Sequence, residues 1–109
     1  MAAKPFKKYR TLEEFYPFYL SEHQDPACRG LHFIGTGTAL VLLGLFLVTA
    51  KWQLLVAALV AGYGFAWVGH FFFERNRPAT FSYPWLSLVS DFRMFFEILT
   101  RKRGIRPES

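Results

Sequence analysis

The chain has 109 residues, of which 52% are hydrophobic and 19% aromatic, and it carries a net charge of +5. This composition is too apolar for a soluble domain of such a small size, and the basic residues flank apolar segments without lining one polar face. We therefore expect anionic lipid headgroups rather than nucleic acid to be the partner of the positive charge. Cys28 is the only cysteine, which excludes an intramolecular disulfide and a cysteine-rich zinc motif and suggests an ordinary free thiol in a reducing, cytosol-facing location.

The N-terminal region predicts an amphipathic helix over residues 11–24. Thr11 and Glu14 have the spacing of a capping box, which places the helix start at this point. Pro17 should kink or shorten the helix. The apolar side chains that follow at helical spacing are Leu12, Phe15, Tyr16 and Tyr19. Asp25-Pro26 and Arg29-Gly30 predict a turn after this helix.

Two long apolar segments predict transmembrane helices over residues 31–50 and 52–74. Residues 31–50 contain no formal charge and would extend about 30 Å as a helix, which is enough to cross the hydrocarbon core of a bilayer. Lys51 separates the two segments, and such a short loop predicts an antiparallel helical hairpin.

The hairpin predicts that two histidines lie at the same depth in the membrane. His32 precedes Lys51 by nineteen residues and His70 follows it by nineteen, so both should lie at the open end of the hairpin. A stripe of small residues would let the two helices approach closely, and it comprises Gly35, Ala39, Ala58, Gly62 and Ala66.

The C-terminal part predicts an amphipathic helix over residues 84–102, either lying in the membrane interface or partly embedded. Its apolar face comprises Trp85, Leu88, Val89, Phe92, Phe96 and Leu99, opposite Ser87, Ser90, Asp91 and Glu97. Five basic residues precede the first span, one lies in the hairpin loop and seven follow the second span. The positive-inside rule therefore predicts that both termini face the cytosol. The overall prediction is an all-α integral membrane protein with a single domain over residues 1–109.

The candidate site consists of polar side chains that converge at the cytosolic end of this arrangement. His23, His32 and His70 offer three imidazoles without a thiolate, a set that suits zinc, copper, iron or nickel and leaves coordination positions open. Glu74 follows His70 by one helical turn and is a candidate ligand, orienting group or proton carrier. Arg29, Asn76 and Arg77 are candidates for holding a carboxylate or phosphate, or for contacting lipid headgroups.

Two motifs around these residues resemble a known family. The first comprises Tyr19, Leu20, Ser21, Glu22, His23, Pro26, Arg29, Leu31, His32, Gly35 and Thr36. The second comprises Gly69, His70, Glu74, Asn76, Arg77, Pro78, Ala79, Thr80, Tyr83, Pro84, Leu86, Leu88, Asp91 and Phe92. These motifs resemble the 2-hydroxy fatty acid dioxygenase family, small membrane proteins long labelled a domain of unknown function. Its fungal member is an Fe(II)-dependent enzyme of phytosphingosine degradation, and the resemblance covers roughly residues 11–100.

The resemblance implies that His23, His32 and His70 are the ligands of Fe(2+), at the cytosolic face of a bacterial inner membrane or the endoplasmic reticulum. The substrate would be a 2-hydroxy fatty acid, which α-oxidation with O2 shortens by one carbon. We further hypothesise that Arg29 or Arg77 pairs with its carboxylate and that the hairpin and the Phe-rich segments supply an apolar slot for the acyl chain. The sequence is also compatible with a homo-oligomer.

Three alternatives remain open at this point. His32 and His70 could clamp a b-type haem, which would make the protein a membrane electron carrier. The chain could be a non-catalytic membrane scaffold, in which case the histidines would matter for stability alone. A zinc hydrolase with three histidine ligands is the third alternative.

Overall fold

The computed structural model describes residues 9–106, and within this range the chain is all-helical with no strand. Helix α1 spans Leu12–Ser21, α2 spans Pro26–Thr49, α3 spans Trp52–Val68 and α4 spans Pro84–Leu99. A π-helical segment, Gly69–Glu74, continues α3, and a single 3-10 turn, Ala79–Phe81, precedes α4. The N-terminal basic residues Lys4, Lys7 and Lys8, which contribute to the predicted orientation, lie outside the described residues.

Helix α1 starts where its capping motif predicts. The Thr11 hydroxyl accepts a hydrogen bond from the Glu14 amide at 3.2 Å, and the Glu14 carboxylate accepts one from the Arg10 amide at 3.0 Å. Pro17 lies inside the helix, which continues for another turn and ends at Ser21. His23 therefore lies in the turn between α1 and α2, beyond the last residue of α1.

Helix α2 begins at Pro26, earlier than the apolar composition suggests. The Asp25 side chain caps it by accepting from the Ala27 amide at 2.7 Å, and Pro26 occupies the first helical position, where its missing N–H costs nothing. The prediction that Arg29-Gly30 belongs to a turn is therefore wrong. The cap outweighs the low helix propensity of Gly30, which lies in the second turn of α2.

Helices α2 and α3 pack side by side through small residues. A Cβ atom added to Gly35 would lie 2.8 Å from the Phe65 Cβ and 3.0 Å from the Ala61 carbonyl oxygen, so glycine is required there for the close approach. Gly69 faces Cys28 in the same way. The two helical stretches therefore contact each other closely at both glycines.

The described residues contain two helical stretches long and apolar enough to cross a membrane, Pro26–Thr49 and Trp52–Glu74. Large apolar side chains on both stretches are exposed, including Val41, Leu47, Val48, Val60 and Phe72. The aromatic core lies elsewhere, between α1, α4 and the 3-10 turn, where Phe15, Tyr16, Tyr19 and Met94 are buried together.

Helix α4 turns its polar side towards the protein. Ser87 and Ser90 are buried, whereas Trp85, Phe96 and Leu99 on the other side are exposed. Two tyrosines of α1 join this side of α4 to α1, because the Tyr16 hydroxyl donates a hydrogen bond to Glu97 and the Tyr19 hydroxyl donates one to Asp91. This orientation places the polar stripe of α4 against the histidines described next.

Candidate metal centre

Three segments of the chain bring three histidines together. His23 comes from the turn after α1, His32 from the second turn of α2, and His70 from the π-helical segment. Their ring centroids are 4.5 Å apart for His23 and His32, 4.4 Å for His23 and His70, and 4.9 Å for His32 and His70. All three side chains are buried, with at most 4% of their surface exposed. The predicted convergence of His23, His32 and His70 is thus present in the structure.

Each histidine uses its Nδ1 atom in a hydrogen bond to a carbonyl oxygen. The acceptors are the Tyr19 backbone oxygen for His23 at 2.6 Å, the Cys28 backbone oxygen for His32 at 2.9 Å, and the Asn76 side-chain oxygen for His70 at 2.7 Å. A carbonyl oxygen can only accept, so Nδ1 carries the proton in all three rings. The three Nε2 atoms are therefore left with lone pairs, the form in which imidazole binds a metal.

The separation of two of these atoms fits two ligands of one ion. The Nε2 atoms of His23 and His32 are 3.1 Å apart, although neither has a proton to donate in the tautomers described above. Two nitrogens at about 2.1 Å from a shared ion, at angles of about 90–109°, would lie about 3.0–3.4 Å apart. Burial, together with the neighbouring histidines, lowers the pKa of His23 well below its usual value, so this imidazole is neutral. The donor set therefore fits a divalent cation.

Cys28 joins the three histidines in a buried group whose ligand atoms all lie within 4.8 Å of one another. Its sulfur is 3.6 Å from the Nδ1 atom of His32, the nitrogen that bonds the Cys28 carbonyl. The sequence predicts an ordinary free thiol at Cys28 and does not predict that it lies beside the histidines. The signal for this position is the spacing of four residues between Cys28 and His32, which puts both on one helix face.

The π-helical segment positions His70. Such segments occur often at functional sites because their wider turn redirects a side chain. Gly69 makes the placement sterically allowed, since a Cβ atom there would lie 2.9 Å from the Cys28 sulfur and 3.1 Å from its Cα atom. Arg75 ends the segment in the left-handed conformation, with φ of 61°. The sequence predicts a regular α-helix over this stretch, because nothing in its composition distinguishes an α-helix from a π-helix.

Asn76 and Glu74 both make internal hydrogen bonds near the centre. The Asn76 oxygen accepts from His70, and its amide nitrogen donates to the Glu22 backbone oxygen at 3.1 Å. The Glu74 carboxylate accepts from the Asp25 amide, at the N-terminus of α2. Asn76 thus orients His70, and Glu74 joins the π-helical segment to the start of α2.

The two predicted substrate arginines occupy different environments. Arg29 is buried, and its Nε donates to the His23 backbone oxygen at 2.7 Å while its Nη1 donates to the Gly104 oxygen at 3.0 Å. Arg77 is exposed and lies over the Phe81 ring, 5.3 Å from its centroid. Arg29 therefore stabilises the backbone that carries His23, and Arg77 lies at the surface.

The polar stripe of α4 forms the wall of the centre opposite the three histidines. A small cavity of about 10 Å³ is lined by the three histidines together with Tyr19, Ser87 and Asp91, among others. Burial raises the pKa of Asp91 from 3.8 to about 7, even though the hydrogen bond from Tyr19 opposes this shift. The Ser87 hydroxyl is buried without a hydrogen-bond partner among the described residues.

A second, apolar cavity of about 130 Å³ adjoins the first. It lies between α2, α3 and α4, and its lining includes Thr36, Leu43, Leu55, Ala58 and Phe92. Tyr63 and Asp91 line both cavities. We call this second cavity the apolar slot.

The dimensions of the centre suit a single ion and not a macrocycle. The His32 and His70 rings are in edge contact at 4.9 Å between centroids, with the His23 ring against both. A haem held by His32 and His70 would place the plane of the macrocycle between their rings and need open space around it, whereas the two rings are in edge contact and the His23 ring packs against both.

Comparison with known protein families identifies a match over most of the chain. A family model described as 2-hydroxy-palmitic acid dioxygenase Mpo1-like matches residues 9–103. Neither the curated proteins nor the solved structures include a match to this chain.

Proposed function

The chain belongs to the Mpo1-like family of 2-hydroxy-palmitic acid dioxygenases, and on that premise we propose that it is an Fe(II)-dependent dioxygenase that shortens 2-hydroxy fatty acids by one carbon. The observation that carries this proposal is the convergence of three buried histidines whose Nδ1 atoms all donate to carbonyl oxygens. This leaves three Nε2 atoms for one ion. Three histidine nitrogens would occupy three positions around the ion and leave others for substrate and O2.

In this proposal His23, His32 and His70 hold Fe(2+), and the surrounding hydrogen bonds fix each ring. When bound, the iron would supply the O2 activation that the cleavage of the C1–C2 bond requires. The chain itself would bind and orient the substrate. It would also exclude water from the centre, because all three histidines are buried. Asn76 keeps His70 in the tautomer that presents Nε2 to the ion.

The three predicted substrate-binding residues and Glu74 have different roles in the proposal. Arg77, which is exposed, attracts the carboxylate of an incoming fatty acid. Arg29 stabilises the loop that carries His23, and Asn76 acts through His70. Glu74 anchors the π-helical segment to α2 and is a positioning residue in this arrangement.

We also propose that the protein is integral to a membrane, with α2 and α3 forming an antiparallel transmembrane hairpin and both termini in the cytosol. Support comes from the length and apolar character of both stretches, from their exposed apolar side chains and from the excess of Lys and Arg outside the hairpin loop. The centre then lies at the cytosolic edge of the hydrocarbon core, where a fatty acid can enter from the bilayer.

The test is the metal content of the protein purified in detergent without oxygen, compared with His23→Ala, His32→Ala and His70→Ala. We expect about one iron per chain, its loss in each histidine variant, and turnover of 2-hydroxy-palmitic acid by the wild type and the control variant but by none of the histidine variants. Gln24→Ala is the matched control, because Gln24 adjoins His23 and is exposed.

The outcome also separates the competing functions. Zinc in place of iron, with hydrolytic activity, would favour a zinc hydrolase. Absence of any bound metal after Fe(II) is added would contradict the dioxygenase and favour a membrane scaffold.

A further inference from the structure

The side of α4 that faces the histidines contains a polar group with no partner. Ser87 is 2% exposed, and its hydroxyl has no hydrogen bond among the described residues. A buried hydroxyl without a partner carries a desolvation penalty, which a bound molecule can relieve. Ser87 lines the same small cavity as the three histidines, so a molecule that enters this cavity would lie beside it.

Asp91 lies one helical turn after Ser87 on the same face of α4. One of its carboxyl oxygens accepts from the Tyr19 hydroxyl, and the side chain borders both the small cavity and the apolar slot. The direction along α4 from Ser87 to Asp91 therefore leads from the histidines towards the slot.

The slot itself has the character of an acyl-chain site. Its lining is mostly aliphatic, with Leu40, Leu43, Leu55 and Leu59 beyond Thr36 and Tyr63. From Thr36 to Leu43 the helix rises by about 10 Å. The slot thus begins at the polar centre and runs away from it between α2 and α3.

We propose that the substrate binds along α4, with its 2-hydroxy-carboxylate head hydrogen-bonded by the Ser87 hydroxyl and its acyl chain passing Asp91 and Tyr63 into the apolar slot. This inference rests on the proposed function, since it assumes a 2-hydroxy fatty acid as the ligand. It assigns Ser87 a role in positioning the substrate head and assigns the residues of the slot a role in chain-length selection.

Ser90 provides a matched control for Ser87. Its hydroxyl is also buried and without a partner among the described residues, yet it lines neither cavity. Ser87→Ala and Ser90→Ala therefore remove the same kind of group from the same helix, and both should fold because neither breaks a hydrogen bond present in the structure.

The experiment measures equilibrium binding of radiolabelled 2-hydroxy-palmitic acid and palmitic acid, without oxygen, to the iron-loaded protein in lipid nanodiscs. Ser87→Ala should weaken the binding of 2-hydroxy-palmitic acid about tenfold and leave iron content unchanged, whereas Ser90→Ala should leave both unchanged. Ser87→Thr, which keeps a hydroxyl, should retain more of the affinity than Ser87→Ala. Equal affinities for the two alanine variants would overturn the role of Ser87.

A second pair of variants tests the slot. Ala58→Leu places bulk in the slot, and Val60→Leu adds bulk at an exposed position of the same helix. We expect Ala58→Leu to weaken binding of 2-hydroxy-palmitic acid at least fivefold but to preserve binding of a short-chain 2-hydroxy acid, with Val60→Leu unchanged for both. Loss of both ligands in a variant that retains its iron, or loss of neither, would overturn the proposed path of the acyl chain. A wild-type protein that holds iron but binds no 2-hydroxy acid would overturn the proposed function as well.

Discussion

At the scale of single residues, the chemistry of the centre depends on the atom that each histidine leaves free. The Nδ1 partners of His23 and His32 are backbone carbonyls within four residues along the chain, so the local fold supplies them. His70 is different, because its acceptor is the side chain of Asn76. A substitution can therefore remove the acceptor of His70 without changing the backbone of the site.

Asn76→Ala should lower metal affinity about 10–100-fold, because His70 loses the acceptor that fixes its tautomer and ring orientation. Asn76→Asp retains an acceptor oxygen and should preserve much of the affinity. Metal titration of the detergent-solubilised protein measures the effect, with the adjacent exposed Arg77→Ala as control. An Asn76→Ala variant with wild-type affinity would show that His70 does not depend on this bond.

The raised pKa of Asp91 predicts that the stability of the metal-free protein depends on pH. The pKa of Asp91 in the folded protein is about 7, above the ordinary value of 3.8. Between these two pH values the folded state binds a proton that the unfolded state has lost. The wild type therefore loses stability as pH rises from about 4 to about 7. An asparagine side chain cannot ionise, so Asp91→Asn should gain stability relative to the wild type over this range. His23, whose pKa is lowered, affects both proteins alike and cancels in the comparison.

The measurement is the thermal midpoint of both proteins in chelator at several pH values between about 5 and 8, a range that brackets the raised pKa of Asp91. The difference between Asp91→Asn and the wild type should widen as pH rises and level off above the pKa of about 7. A difference that does not change with pH would mean that Asp91 ionises in the folded protein as it does in water.

At the scale of the elements, the candidate metal centre depends on the contact between the π-helical segment, which carries His70, and the start of α2, which carries His32. Gly69 faces Cys28 closely enough to leave no space for a side chain. The Glu74 carboxylate accepts from the Asp25 amide at the α2 N-terminus, where negative charge is favourable. The position of His70 relative to His32 therefore depends on contact between these two elements.

Gly69→Ala should destabilise the protein by about 1–3 kcal/mol and weaken metal binding, because the added methyl group must push the π-helical segment away from Cys28. Gly64→Ala is the matched control on the preceding helix, where an added Cβ atom meets nothing within 4 Å. That control should be neutral or stabilising by about 0.5–1 kcal/mol. Chemical denaturation and metal titration of both variants test the prediction, and equal behaviour of the two would contradict it.

At the scale of the whole molecule, the distribution of exposed apolar side chains supports the proposed membrane environment. The outer faces of α2 and α3 and the outward side of α4 expose large apolar groups. A hydrocarbon environment would cover all three surfaces, and the charged residues would lie at its edge.

The proposed orientation predicts the labelling of single cysteines in sealed vesicles. With an impermeant maleimide added outside right-side-out vesicles, Lys51→Cys should react and Arg101→Cys should not, because the hairpin loop and the C-terminus lie on opposite sides. Inverted vesicles should give the opposite pattern. Native Cys28 is buried and should not react in either preparation. Labelling of both engineered cysteines from one side would contradict the hairpin.

The amino-acid sequence by itself determined the all-helical class, the two apolar stretches, the family and the three histidines. Those features follow from hydrophobic patterning, a local capping motif and motif spacing, which are all written along the chain. The start of α2 was harder to predict, because the cap at Asp25 acts against the low helix propensity of Gly30.

The tertiary structure alone decided how the site is assembled. Cys28 joins the histidines, Asn76 orients His70, and Ser87 and Asp91 face the centre because the aromatic core fastens α1 against the polar side of α4. The sequence pattern of α4 distinguishes an apolar face from a polar one, but it does not say which face is covered by protein. In a fold with exposed apolar surfaces, long-range packing determines which face of α4 is covered, and a local sequence pattern does not contain this information.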